Sequence, residues 1–165
     1  MLVSTALDKQ MKVEFEYLVD HPDQIYQVVK WWRTAWDKWM DEDDEVVAQQ
    51  IRSSLGKENL PIDILAFIDG KVVGAAALKL QELVKVYPQY QYWLGSVFVD
   101  ESYRGNQIAT ALTMRIIDMA KEHKLPHLYL QTANLSGGLY AKLGWKKVEQ
   151  FRDVDEETLL MVKTL

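Results

Sequence analysis

Arg104 and Gly105 lie in a short polar loop between an apolar run and an amphipathic helical pattern, a position suited to binding an anion. The apolar run covers residues 96–99, and the helical pattern begins near Gln107. A glycine lets the backbone approach a ligand closely, and the first N–H groups of a helix are unpaired at the positive end of its dipole. This spacing predicts a phosphate or nucleotide-tail site, and an ordinary strand-to-helix turn is the alternative.

A tyrosine that could donate a proton lies further along the chain, in a second motif at residues 134–145. Tyr140 lies inside a short predicted helix, with Ser136 as its N-cap and Gly144 at its C-terminal end. Serine is a preferred N-cap residue, and glycine commonly ends a helix. The motif therefore predicts a positioned phenol, and a tyrosine that only packs in the core is the alternative.

The two motifs together resemble the GCN5-related N-acetyltransferase (GNAT) family, and the resemblance extends from residue 64 to the C-terminus. The family pattern Arg-x-x-Gly-x-Gly/Ala is similar to Arg-Gly-Asn-Gln-Ile-Ala at 104–109, and Leu-Tyr-x-Lys-x-Gly-Phe is similar to Leu-Tyr-Ala-Lys-Leu-Gly-Trp at 139–145. Gln107 stands where the family usually has its central glycine, so its side chain is expected to point away from the diphosphate. Segments 18–22, 93–99 and 139–145 also resemble a bacterial branch similar to the actin N-terminal acetyltransferases.

The resemblance implies acetyl-CoA as cosubstrate, together with the residues that bind it. The pantetheine arm is expected to pair with the backbone of a central strand, and Asn134 is expected to bond to the same arm. Gly95 marks either a bulge that exposes this strand edge or a packing glycine. The implied strand residues are Val97, Phe98 and Val99, and the implied diphosphate-binding residues are Arg104, Gly105, Asn106, Gln107, Ile108 and Ala109.

The resemblance also implies catalytic residues. Tyr140 is expected to protonate the departing thiolate. Glu82, just after a predicted strand, is the candidate general base, with an exposed loop carboxylate as the alternative, and Ser96 is a candidate relay through water. Because the chain has no cysteine, acyl transfer is direct or uses another group, and direct attack of the amine in a ternary complex is the expectation. A non-catalytic acetyl-CoA-binding or regulatory module is the alternative function.

The patterns along the chain predict an α/β fold: a single domain over residues 1–165 with a central, mostly antiparallel mixed sheet flanked by helices. Asp69-Gly70 between two apolar runs predicts a hairpin. The sheet is expected to be splayed between the strand at 92–99 and the strand at 127–132. The predicted strands are 12–19, 63–68, 71–80, 92–99, 127–132, 146–152 and 158–163, and the longer predicted helices are 22–40, 45–55 and 107–123.

Four tryptophans make the first predicted helix unusually aromatic. Helical spacing places Trp32, Trp36 and Trp39 on one face, which predicts that they lie in the core. The first helices of the resembled family wall the acceptor pocket, which implies that Trp31 or Trp36 packs on a cationic acceptor.

The net charge of -5 over 165 residues argues against general nucleic-acid binding and favours an amine-bearing, cationic acceptor. Asp37 and the acidic run at 41–45 attract such a substrate or form a solvated surface. Small amines, polyamines, aminoglycosides and a peptide N-terminus are the open acceptors. No apolar run is long enough for a membrane span, and residues 1–7 lack a signal-peptide pattern, so a cytoplasmic location is expected. The sequence contains no cluster of His and acidic residues with the spacing of a metal site. It leaves open whether the protein forms a homodimer.

Overall fold

The computed structural model describes residues 11–165, and seven strands form one mixed sheet within them. The N-terminal segment at 1–7 considered above lies outside these residues. The strands are β1 (Glu14–Tyr17), β2 (Ile62–Ile68), β3 (Lys71–Lys79), β4 (Trp93–Val99), β5 (His127–Thr132), β6 (Lys146–Asp153) and β7 (Glu156–Thr164). Their order is β1-β2-β3-β4-β5-β7-β6, and only the β4–β5 pair is parallel.

Four α-helices connect or flank these strands. They are α1 (Ile25–Trp36), α2 (Asp44–Ser53), α3 (Ile108–Glu122) and α4 (Gly138–Lys142). Short 3₁₀ turns at Pro22–Gln24 and Asp37–Trp39 flank α1, which accounts for the longer helix predicted from the sequence. No helix in the described part of the chain is long and apolar enough to cross a membrane.

The helices cover both faces of the sheet. Side chains along a strand alternate between the faces, so neighbouring residues of one strand pack against different helices. Leu65 and Phe67 of β2 pack with α1 and α2, whereas Ile64 and Ala66 pack with α3. The predicted mixed sheet flanked by helices is therefore confirmed. The N-terminal strand differs in detail, since it ends at Tyr17 and the following residue, Leu18, is fully buried.

The β2–β3 turn confirms the hairpin prediction. Asp69 and Gly70 have φ values of 51° and 77°, and a type I′ turn requires positive φ at both central residues. Asx and glycine residues reach this conformation at the lowest steric cost.

The central strand β4 is irregular, and it marks the point where the sheet divides. Ala75 pairs with Phe98 but Ala77 pairs with Gly95, so β4 contains one extra residue, and Ser96 has a φ of 55°. On the other side, β4 and β5 share only the register pair Trp93 and Tyr129. The predicted splay is present, and beyond Trp93 one edge of β4 has no strand partner among the described residues.

Candidate active site

The loop after β4 is held in shape by its own side chains. The Asp100 carboxylate accepts hydrogen bonds from the Ser102 N–H at 3.0 Å and the Ser102 hydroxyl at 2.7 Å. Asn106 Nδ2 donates to the Tyr103 carbonyl at 2.9 Å, and Arg104 Nε donates to the Val99 carbonyl at 3.1 Å. The Arg104 guanidinium lies 5.2 Å from the Phe98 ring centroid. These contacts fix the backbone before any ligand binds.

A continuous run of backbone N–H groups in this loop is unpaired. The first helical bond of α3 runs from the Ala111 N–H to the Gln107 carbonyl at 3.1 Å. The N–H groups from Gly105 to Thr110 donate to no backbone or side-chain acceptor among residues 11–165. The first turn of α3 also contains no acidic residue. Such a nest at a helix N-terminus suits a phosphate group.

Two residues of the nest have left-handed backbone conformations. Gly105 has a φ of 84°, and a Cβ added there would meet nothing within 4 Å, so backbone conformation alone requires the glycine. Gln107, the N-cap of α3, has a φ of 61° and makes no side-chain cap bond. Its side chain is exposed. The left-handed conformation explains why glycine suits this position and why glutamine is unusual there.

The residues predicted to pair with the pantetheine arm lie along the unpaired edge of β4. Their side chains face away from that edge into the two cores: Val97 and Val99 pack with the α3 layer, and Phe98 packs with the α1 layer. The Phe98 ring stacks on Trp31 at 5.6 Å. The backbone groups on this edge are therefore free to pair with an extended ligand, whereas the Phe98 and Val99 side chains are buried.

Tyr140 and Glu82 lie close together at the cleft. Burial, and to a lesser degree the nearby Glu82 carboxylate, raise the pKa of Tyr140 to about 12. Glu82 itself is mostly buried, with a side chain 14% exposed, and it accepts a hydrogen bond from Lys79 Nζ at 3.3 Å. A Cβ added at Gly95 would lie 2.5 Å from Glu82 Oε1. The structure therefore corrects the exposed-loop alternative and supports both interpretations of Gly95, a bulge and a close packing site.

The loop that bears Glu82, between β3 and β4, is anchored by stacked tyrosines. Tyr90 stacks on Tyr129 of β5 at 4.4 Å and on Tyr87 at 5.4 Å. Tyr87 meets the edge of Phe151 of β6 at 5.2 Å. Trp93 Nε1 donates to the Tyr90 carbonyl at 2.8 Å. The loop is thus attached to the half of the sheet beyond the cleft, which fixes the position of Glu82.

The Asn134 side chain is already engaged in the turn before α4. Its Oδ1 accepts hydrogen bonds from the Ser136 hydroxyl at 2.6 Å and the Ser136 N–H at 3.1 Å. The N-cap of α4 is Gly137, with a φ of 86°, so the prediction of Ser136 as N-cap is wrong by one residue. The Ser136 hydroxyl still accepts a bond from the Gly138 N–H at 3.3 Å. The predicted stop at Gly144, with a φ of 89°, is confirmed.

Trp32 and Trp36 pack partly buried against the core beneath α1, as predicted, but sequence reasoning did not place Trp31 in that core and missed two charged residues. Trp31 is 5% exposed and belongs to the core, whereas Trp32 is only partly buried and lies 5.8 Å from Lys79 Nζ. Trp36 packs edge-on against Phe98 at 6.3 Å. Asp63 of β2 and Lys79 of β3 lie beside Trp32, and these three residues are called the wall below. The one sequence signal was a carboxylate inside the otherwise apolar run at residues 62–68.

The site thus combines a sheet that divides at β4, a run of unpaired N–H groups at the start of α3 and a partly buried tyrosine on α4. The model of the acetyltransferase (GNAT) family matches residues 25–145, and the chain belongs to this family. It is therefore a GNAT N-acetyltransferase, in EC class 2.3.1, and enzymes of the family use acetyl-CoA.

Solved structures share the fold at low sequence identity. A ribosomal-protein-alanine N-acetyltransferase from Brucella melitensis has a TM-score of 0.73 and 18% identity, over 94% of this chain and 100% of that one. An aminoglycoside 6'-acetyltransferase type Ii has a TM-score of 0.69 and 22% identity, over 93% and 97%. An aminoglycoside 6'-N-acetyltransferase complexed with coenzyme A has a TM-score of 0.70 and 20% identity, over 93% and 97%.

Proposed function

We propose that this chain transfers the acetyl group of acetyl-CoA directly to a primary amine while both substrates are bound. The observation that carries the proposal is the unpaired N–H run from Gly105 to Thr110 beside the open edge of β4. Together these provide donors for a diphosphate and a strand edge for an extended arm. The absence of cysteine from the chain excludes a cysteinyl acyl-enzyme and supports direct attack.

The coenzyme is bound mainly by backbone groups in this proposal. The amides of residues 104–109 bind the diphosphate, and the edge of β4 at residues 97–99 pairs with the pantetheine arm. Asn134 contributes its Nδ2 group, because its Oδ1 is occupied by Ser136. The bound acetyl-CoA supplies the thioester and a thiolate leaving group. The exposed Arg104 guanidinium adds a positive charge near the diphosphate.

Tyr140 is the proton donor to the leaving thiolate. Its raised pKa keeps the phenol protonated at neutral pH, which a general acid requires. Donation matters most when negative charge develops on the sulfur, so the hydroxyl acts on the chemical step rather than on coenzyme binding.

Glu82 is the general base that accepts a proton from the acceptor ammonium. Where the ammonium and the carboxylate are too far apart for direct transfer, Ser96 relays the proton through water. Support for Glu82 comes from its position against the β4 bulge and its interaction with Tyr140. Lys79 orients the carboxylate through their hydrogen bond. An acid and a base are then on either side of the reacting bond.

The acceptor in this proposal is a small-molecule amine or a peptide N-terminus, taken up by one domain comprising the whole chain. Support for one domain comes from the single sheet that includes every described strand. The resemblance to a branch similar to the actin N-terminal acetyltransferases favours the peptide, but none of the three solved structures described above belongs to that branch. A homodimer is compatible with this proposal and is not required by it.

A non-catalytic coenzyme-binding module is the second candidate function, favoured by the strained Gln107 in the nest. Binding of acetyl-CoA without turnover on any amine would support it. Transfer to any amine at a rate that depends on Tyr140 would exclude it.

The experiment is a mass-spectrometric screen for acetylated products, with acetyl-CoA and pooled amines and peptides. The wild type is compared with Tyr140→Phe and Glu82→Gln, and with Tyr26→Phe as a matched control on the exposed side of α1. We expect product to form at similar initial rates with the wild type and the control, and far more slowly with Tyr140→Phe and Glu82→Gln. A thermal-shift titration with acetyl-CoA tests binding separately, since a ligand at a hundredfold excess over its Kd stabilises the fold by about 2.7 kcal/mol.

The kinetic mechanism is tested with the acceptor that this screen identifies. Direct attack in a ternary complex gives intersecting initial-velocity lines when both substrate concentrations are varied. Parallel lines, which indicate a covalent acetyl-enzyme, would contradict the proposal.

A further inference from the structure

Lys79 places a primary amine of the chain itself beside the proposed general base. Its Nζ donates a hydrogen bond to Glu82 Oε1 at 3.3 Å, and the two side chains are 24% and 14% exposed. A general base must lie within hydrogen-bond reach of the proton that it accepts, and such bonds are often long before substrates bind. The Lys79 ammonium therefore meets the requirement that any acceptor amine must meet.

The Lys79 side chain also lies against the bulge of β4. Lys79 is opposite Trp93 in the register of β3 and β4, and its side chain crosses diagonally to Gly95. A Cβ added at Gly95 would lie 3.0 Å from both Cδ and Cε of Lys79, and Nζ is one bond beyond Cε. The amine thus lies at the strand whose other edge is the proposed binding edge for the pantetheine arm.

Lys79 is the most enclosed of the lysines that form a salt bridge within residues 11–165. The others are Lys12, Lys38 and Lys57, whose side chains are 47% to 86% exposed. The centroid of the Trp32 ring on α1 lies 5.8 Å from the Lys79 ammonium. Contacts with the sheet and with α1 hold this amine near its carboxylate, and a fixed geometry favours reaction between groups that are held together.

We propose that the enzyme acetylates its own Lys79 when acetyl-CoA is bound and no acceptor is present. This proposal rests on the proposed function, because it uses the same base and the same proton donor. It adds a covalent modification of the chain to the transfer of acetyl groups to a separate amine.

The reaction balances with the groups already described. Glu82 takes a proton from the Lys79 ammonium, and the freed nitrogen forms a bond to the acetyl carbonyl carbon. The bond between that carbon and the coenzyme sulfur breaks, and the thiolate takes the phenolic proton of Tyr140. The nitrogen then loses a second proton, which restores the Tyr140 phenol, and the proton on Glu82 passes to solvent. The products are an Nε-acetyl-lysine, free coenzyme A and one proton.

The modification has a consequence for the cleft. Acetylation removes the positive charge of Lys79 and the salt bridge that this charge makes with Glu82. The added acetamide also occupies space at the bulge. The modified enzyme therefore transfers acetyl groups to an acceptor more slowly, so the reaction limits turnover when acceptor is scarce.

The experiment is a timed incubation with saturating acetyl-CoA in an amine-free buffer, followed by digestion and mass spectrometry of the lysine-containing peptides. The wild type is compared with Tyr140→Phe and Glu82→Gln, and with Tyr26→Phe as the control. Lys57 is an internal control, since its Nζ lies 2.8 Å from Asp20 Oδ2. Its ammonium lies by Tyr17 of β1, three strands from β4. Urea denaturation shows whether each variant is folded.

We expect Lys79 to be acetylated at an initial rate at least about tenfold above that of Lys57. The rate at Lys79 should fall at least about tenfold in Tyr140→Phe and Glu82→Gln and stay the same in Tyr26→Phe. Because the reaction occurs within one molecule, dilution of the protein should not change the fraction modified at a given time. Equal acetylation of Lys79 and Lys57, none at Lys79, the same rate in Tyr140→Phe, or a fraction that falls on dilution overturns the proposal.

Activity after preincubation tests the consequence. Wild type and Lys79→Arg are each incubated with acetyl-CoA alone and then given the acceptor that the amine screen identifies. Preincubation should lower the initial rate of the wild type and leave that of Lys79→Arg at its own value without preincubation. Equal losses in both proteins would contradict a block caused by acetylated Lys79.

The amine screen separates this proposal from the proposed function. Acetylated amines together with an unmodified Lys79 overturn the proposal and leave the proposed function standing. Acetylation of Lys79 at a rate that depends on Tyr140, with no acetylated amine in the screen, supports the proposal, and in that case transfer to a separate amine fails.

Discussion

The Tyr140 phenol keeps its proton at neutral pH because burial and the nearby Glu82 carboxylate raise its pKa to about 12. Tyr140→Phe preserves the ring against Trp145 and removes only the donor. We expect kcat to fall by a factor of roughly 10² to 10⁴ while the Kd of acetyl-CoA is unchanged. Single-turnover kinetics and calorimetry measure the two quantities, and an unchanged chemical step would assign Tyr140 to packing alone.

The same shift predicts a stability effect at alkaline pH. In the unfolded chain tyrosine titrates near pH 10, so between about pH 10 and the folded pKa of about 12 the folded state binds more protons. The free energy of unfolding therefore decreases as pH rises through this window, and Tyr140→Phe lacks that contribution. Urea denaturation at two pH values within and below the window checks the difference. Parallel pH dependences for both proteins would contradict it.

Asp63 also has a raised pKa, but its ordinary pKa is acidic, so its effect on stability falls on the acidic side of neutral pH. The folded state binds the extra proton between the ordinary pKa of aspartate and the raised one, so stability is lost as pH rises through that interval. At pH 7 without ligand, Asp63→Asn should be at least as stable as the wild type. Urea denaturation compares the two, and a marked loss of stability in the variant would show that the carboxylate has a stabilising partner.

Single residues show where sequence reasoning reached its limit. Tyr140 could be proposed because its motif is contiguous, and the loop glycine could be predicted because its backbone role follows from local spacing. Asp63, Trp32 and Lys79 come together only through strand pairing and helix packing, which no local pattern specifies. In α1 the aromatic residues occupy more than one face, so periodicity could not separate the buried Trp31 from Trp32.

The β4 bulge is the element that brings Glu82 against the sheet, and Gly95 makes room for it. In Gly95→Ala the new Cβ would meet the far ends of two flexible side chains, Glu82 Oε1 at 2.5 Å and Lys79 Cδ at 3.0 Å. We expect a displaced carboxylate, a loss of kcat of at least about tenfold and a nearly unchanged fold.

Gly74→Ala is the matched control for this substitution. There a Cβ would lie 2.8 Å from the backbone carbonyl of Phe98, which cannot move without disturbing the strand. Stability should then fall by about 1–3 kcal/mol. Urea denaturation and steady-state kinetics are measured on both variants. A large stability loss in Gly95→Ala with normal kinetics in the surviving fraction would contradict the argument.

Two substitutions at the start of α3 should have opposite effects on stability. Gln107→Gly removes the cost of a left-handed conformation, about 1 kcal/mol, partly offset by the greater freedom of glycine in the unfolded chain. We expect unchanged or increased stability and unchanged or tighter coenzyme binding. Gly105→Ala should lose about 1 kcal/mol by strain alone, because no atom crowds the added Cβ. Gln107→Gly binding the coenzyme more than about tenfold more weakly would identify the side chain as a ligand contact.

Most elements follow from local chemistry, and the errors occur at their ends. The hairpin at Asp69-Gly70, the long helix α3 and the strand β5 agree with prediction because turn residues and periodicity bound them. The ends of α1 differ because 3₁₀ turns have a helical pattern without helical length. The single register pair between β4 and β5 could be expected only from the family resemblance, since parallel pairing leaves no local signature.

At the level of the whole molecule, one ion pair joins the two halves of the sheet on the side of α1. Lys38 Nζ, which follows α1, lies 2.7 Å from Glu156 Oε2 in β7 and 4.3 Å from the Trp39 ring centroid. Glu156→Gln should change stability by less than about 1 kcal/mol, because both groups are partly exposed. The KM of the acceptor should change up to about fivefold, with the Kd of coenzyme A unchanged.

Glu157→Gln is the control for this prediction, since Glu157 pairs with Arg152 inside the same hairpin at 3.2 Å. The salt dependence of the acceptor KM is measured for both variants and for the wild type. We expect only Glu156→Gln to weaken that dependence. Identical behaviour of the two variants would mean that the ion pair does not influence access to the cleft.

The divided sheet also has a consequence for how acceptor specificity can evolve. The nest at 105–110 begins the helix on one face of the sheet, whereas the wall formed by Trp32, Asp63 and Lys79 lies on the side of α1. Substitutions in that wall can therefore accumulate without altering the geometry on which the shared cosubstrate depends. A descendant of this chain could exchange one acceptor for another through a few side chains on β2, β3 and α1, while remaining a working acetyltransferase at every intermediate step.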